Sequence, residues 1–141
     1  MTESTSKEMS EIEFSDKVKK ADKWSWIIAT AVTMTVFAVG LFATVDVASS
    51  AVVAAVAGIG VQFLIPYYAA MSVPEEKRVT LKDHPTADNF NHGAAGSALL
   101  TGSLIGTAVM VATGDASLGL WTTLGLAVLA YIPFASRLPA R

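Results

Sequence analysis

Three kinds of side chain in this 141-residue chain are placed to do chemistry: the outlying aspartates Asp46 and Asp115, the amide of Gln62, and the histidines His84 and His92. The two aspartates each interrupt a long apolar run. Together at the mouth of a pore they would attract cations. Each can instead cap the helix that follows it, accepting backbone N–H groups and complementing the macrodipole. Capping asks only for local chemistry and is the simpler expectation. Gln62 stands among apolar residues just before Pro66. It is either a pore-lining amide beside a proline-loosened turn or a packing group bonded across to Thr101, Ser103 or Thr107. The threonines Thr30, Thr33 and Thr35 can bond carbonyls of their own helix. His84 and His92 miss the i, i+3 or i+4 spacing that presents two metal ligands on one helix face. With Asp83, Asp88 and Asn91 they would hold a divalent cation only if their segment folded back on itself. No metal and no cofactor is expected.

Several chemistries have no residues to carry them. There are no cysteines, which excludes thiol redox chemistry, disulfides and thiolate metal sites. No Asp, Glu, Lys, Arg or His lies in the interior of any expected span, whereas proton-coupled transport and ion pumping use an intramembrane ionisable group. No nucleophile–base–orienter set and no phosphate loop is present. A net charge of −2 provides no field for nucleic acid. The expectation is a protein that is not an enzyme.

The elements that must position these residues are membrane helices. Trp24 to Val73 is apolar or small apart from Asp46, and Gly93 to Ser136 is apolar apart from Asp115. A spanning helix needs roughly 20 apolar residues, so each run holds two spans joined by a tight turn at its aspartate. The spans are expected at 24–44, 48–70, 94–112 and 118–135. The fold class is therefore an all-α integral membrane protein of four transmembrane helices arranged as two helical hairpins. The chain divides into a polar segment over 1–23, a first hairpin over 24–71, a connection over 72–93, a second hairpin over 94–136 and a tail over 137–141. The first ten residues have little to bury and are expected to be disordered. Ser10-Glu11-Ile12-Glu13 has the form of a capping box that would start a short polar helix. Trp24, Trp26, Tyr67, Tyr68, Trp121, Tyr131 and Phe134 fall where aromatic belts meet the headgroups.

Lysines and arginines precede the first span, fill the 72–93 connection and follow the fourth span, while the two tight turns carry none. Under the positive-inside rule both termini and the connection are cytoplasmic, in the plasma membrane.

The halves also echo one another. Ala43-Thr44-Val45-Asp46 reads like Ala112-Thr113-Gly114-Asp115, and Ile65-Pro66-Tyr67 like Ile132-Pro133-Phe134. Pro66 and Pro133 are expected to kink their helices near the cytoplasmic end. Hairpins with an even number of spans insert the same way round, so this is a parallel repeat with its axis along the membrane normal.

Helix packing is the clearest signal within the spans. Ala94, Ala98, Gly102 and Gly106 recur every four residues, as do Ser50, Ala54, Gly58 and Gln62. Small residues at this spacing let backbones approach closely. The expectation sets these stripes of the second and third spans against each other, or one of them against a second copy. The partners are then the lipid bilayer and either a homo-oligomer or a larger membrane complex. The function expected is a non-catalytic packing or accessory subunit. The alternative is a passive channel of two or more copies, lined by Thr33, Gln62, Thr101 and Thr107.

Overall fold

The computed structural model describes residues 2–74 and 92–138. It is all-helical, with α1 (Thr2–Thr44), α2 (Val47–Met71), α3 (His92–Thr113) and α4 (Ala116–Arg137). All four are long and apolar enough to cross a membrane; in α1 the stretch that qualifies lies within Asp16–Thr44. His84, Asp83, Asp88 and Asn91, and most of the cationic connection, lie outside the described residues.

The helices stack up-down-up-down. α1 packs on α2 from Val18 against Tyr67 and Ala70 to Gly40 against Ser50. α3 packs on α4 with Gly102 against Ala127 and Met110 against Gly119. α2 meets α3 with Gly60 against Gly96 and the Phe63 ring against His92. The deepest cluster joins three helices: Val36 of α1, Val53, Ala54 and Ala57 of α2, and Met110 of α3. Pro66 and Pro133 sit inside α2 and α4 without ending them.

α1 departs from expectation. It is one helix of 43 residues that starts at Thr2, so Ser10 lies within it rather than at its start. The physical reason is nucleation. The costly first turn is already made in the membrane-spanning part, and extending a formed helix adds a hydrogen bond per residue fixed. Glu3 in the first turn also complements the macrodipole. At 1.5 Å per residue the whole helix is about 65 Å long, roughly twice the hydrocarbon thickness.

The two tight turns match bond for bond. Val45 (φ 58) and Gly114 (φ 68) take the left-handed conformation, and Asp46 and Asp115 follow with extended backbones at φ −102 and −100. The Val45 and Gly114 amides donate to Leu41 and Met110 carbonyls, both at 2.8 Å. Thr44 and Thr113 hydroxyls donate back to Gly40 and Val109 carbonyls and accept from the Asp46 and Asp115 amides. Asp46 Oδ1 accepts from the Ser49 amide at 2.7 Å, and Asp115 Oδ1 from the Leu118 amide at 2.9 Å. Each aspartate is therefore the N-cap of the next helix. The short Thr-x-Asp sequence satisfies both the last turn of one helix and the first turn of its successor.

Candidate functional site

The residues singled out above fall into two interfaces and one open groove. Within the first hairpin, Gly58 faces α1: a Cβ built on it would run into the Thr33 hydroxyl and lie 3.5 Å from the Ala29 carbonyl oxygen. Within the second, Gly102 and Gly106 face α4. A Cβ on Gly102 would lie 2.6 Å from the Thr123 carbonyl oxygen, and one on Gly106 would meet the Thr123 hydroxyl and the Gly119 carbonyl oxygen, the latter at 2.6 Å. In both hairpins a threonine hydroxyl rests on a glycine of the opposite helix. Backbones this close gain dispersion and weak Cα–H···O contacts.

The glycines of the two stripes do not meet each other. Gly58 turns to α1 and Gly102 and Gly106 turn to α4, while α2 and α3 join through Gly60 and Gly96, where a Cβ on Gly60 would lie 2.9 Å from the Leu100 nitrogen and 3.1 Å from the Gly96 carbonyl oxygen. The cause is geometric. Residues four apart in a helix with 3.6 residues per turn drift by about 40° per step, so a stripe of four winds through about 120°. Ala54, buried in the central cluster, and Ala98, also buried, lie along these winding stripes. The α2–α3 seam uses Gly60 and Gly96, two glycines whose only sequence signal is their size.

Gln62 is separated from the α3 hydroxyls. Thr107 donates to the Ser103 carbonyl at 2.7 Å and Ser103 to the Leu100 carbonyl at 3.0 Å, so both are committed to their own helix. Thr101 and Thr107 are about 120° apart around α3 by the same helical arithmetic. Thr30 and Thr35 bond back to the Trp26 and Ala31 carbonyls. Gln62 instead joins Thr33 in a groove of about 300 Å³ on the outside of the α1–α2 hairpin, with Trp26, Ala55, Gly58 and Ile59 among the lining residues. Among the described residues the Gln62 amide has no hydrogen-bond partner. Pro66, one turn on, has no N–H to give the Gln62 carbonyl.

His92 is buried at the first turn of α3, its ring edge-to-face with Phe63 at 4.8 Å between centroids. Tyr67 is buried beside it, its ring against Gly93. Among the described residues no three His, Asp or Glu side chains are grouped to hold a metal ion. The Ser50 hydroxyl, packed against Gly40 and Met110, is the one buried side-chain polar atom among the described residues without a partner.

No protein-family model, curated protein or solved structure matches this chain.

Proposed function

We propose that this chain is a non-catalytic membrane subunit, a compact four-helix element that works by associating with other helices in the plasma membrane. Both termini and the 72–93 connection face the cytoplasm in this reading, because lysines and arginines collect at that end and not at the Asp46 and Asp115 turns. The matched turns support a duplicated hairpin with its pseudo-two-fold axis along the membrane normal.

One observation carries the reading: the seams inside the chain are closed by backbone. Gly60 on Gly96 and Gly106 on Gly119 bring main chains into contact where a solute path would have to run. The hydroxyls of Ser103, Thr107 and Thr123 donate to carbonyls of their own helices. Large apolar side chains such as Phe42, Trp121, Val128 and Ile132 are left on the outside, where lipid or another protein covers them.

The second reading, a passive channel built from several copies, draws on the groove lined by Thr33 and Gln62 on the outside of the α1–α2 hairpin. Native mass spectrometry and liposome flux separate the two. A defined assembly or a co-purified membrane partner without solute flux is expected. Flux of a small ion or polar solute that is lost in Gln62→Leu would overturn the subunit reading in favour of the channel.

A further inference from the structure

We propose that the α1–α2 groove is the seat of a second copy of this chain, joined by reciprocal hydrogen bonds between the two Gln62 amides. The inference rests on the subunit reading and names its partner and surface.

A glutamine at membrane depth has more hydrogen-bonding capacity than its own helix can use. Its side chain carries two N–H donors and an acceptor oxygen. A threonine in the same setting turns its hydroxyl back onto the preceding turn, as Thr30 and Thr35 do. Gln62 has no partner among the described residues, and its backbone carbonyl faces Pro66, which has no N–H. Gln62 shares its groove with Trp26, just inside the aromatic belt, where water is scarce and an open amide gains from a partner outside the chain.

Three features favour a second copy over another occupant. First, the amide is self-complementary: donor and acceptor on one residue allow each Gln62 to give and receive one bond. Second, copies of one membrane protein insert the same way round, so a two-fold axis along the membrane normal sets Gln62 beside Gln62 at equal depth. A different partner would need its own polar group at that level. Third, the groove has small residues at its base, Ala29, Ala55 and Gly58, with Ile59 and Met34 beside them. A helix of the second copy can therefore approach until the two amides are within bonding distance. Trp26 lines the same groove and is well exposed, an aromatic anchor for such an interface.

The absence of native cysteine makes the test direct. Ile59→Cys introduces a thiol in the groove at a position that is 45% exposed, and Val128→Cys places one on α4 at a position that is 69% exposed. Oxidative crosslinking in native membranes is expected to give a covalent dimer with Ile59→Cys and none with Val128→Cys. Adding Gln62→Leu to Ile59→Cys should weaken dimerisation in bilayers about 3- to 30-fold, the span of measured interhelical polar pairs. Since Ile59→Cys alone reads the geometry, a poorly folding Gln62→Leu leaves the proposal open to refutation. A dimer that crosslinks through Val128 and not Ile59 overturns this inference and leaves the subunit reading standing. So does an Ile59→Cys adduct with the mass of a different protein. A chain that stays monomeric and partnerless in the bilayer overturns both.

Discussion

Val45 and Gly114 occupy the same left-handed position in the two outer turns, one residue before the capping aspartate. Only one of them is the residue type that this backbone favours. An L-residue there costs roughly 1–2 kcal/mol, and a β-branched one is the worst placed to bear it. Val45→Gly should therefore stabilise the first hairpin by about 1 kcal/mol, after part of the gain is returned as glycine's greater freedom when unfolded. Gly114→Val should destabilise the second by about 1–2 kcal/mol. Reversible unfolding in mixed micelles reads both, and opposite signs are the expected result.

The caps make a second pair. Asp46→Ala and Asp115→Ala each leave an amide, Ser49 or Leu118, without its carboxylate acceptor. A loss of about 0.5–2 kcal/mol per site is expected, and Asp→Asn, which keeps the acceptor oxygen, should lose less. The two sites serve different helices, so the double variant should lose the sum. If the carboxylates instead served a pore mouth, cation flux would fall in both Asp→Asn variants at unchanged stability.

Element placement was legible because the bilayer imposes a length. Expected spans of 48–70 and 94–112 became Val47–Met71 and His92–Thr113, and the turns were readable from the lone aspartates Asp46 and Asp115. Partner choice between helices was not legible. The four-residue spacing of Gly102 and Gly106 marks a surface for close approach but not which helix comes to it. Two-residue turns hold α1 to α2 and α3 to α4, so the stripes were consumed within the hairpins. Gln62 was conspicuous by its chemistry. That it faces away from Thr107 depended on a helix rotation that small residues alone do not specify.

The glycines of α3 and α4 separate contact from composition. A Cβ at Gly102 meets the Thr123 carbonyl oxygen and Ala127 nitrogen, both backbone atoms that cannot swing aside. Gly102→Ala and Gly106→Ala should force α3 and α4 apart and cost about 1–3 kcal/mol each. Gly125 has nothing within 4 Å of a built Cβ. Gly125→Ala should be neutral or stabilising by no more than about 1 kcal/mol, the difference in helix propensity. Thermal unfolding of the three variants side by side checks this, and equal effects at all three would contradict the packing.

The seam between the hairpins offers the sharpest test of the bundle. Gly60 and Gly96 press on each other, with a Cβ on Gly96 lying 2.9 Å from the Gly60 carbonyl oxygen and 2.9 Å from the Leu64 nitrogen. Either Gly60→Ala or Gly96→Ala alone must open this contact. Once it is open, the second substitution meets a neighbour already displaced. The double variant should therefore lose less than the sum, with a coupling of about 0.5–3 kcal/mol, as expected for residues in direct contact. Gly60→Ala combined with Gly106→Ala touches two separate seams and should be additive within about 0.5 kcal/mol. Additivity in both cycles would mean that α2 and α3 do not meet at these glycines, and the two hairpins would have to be set against each other in some other way.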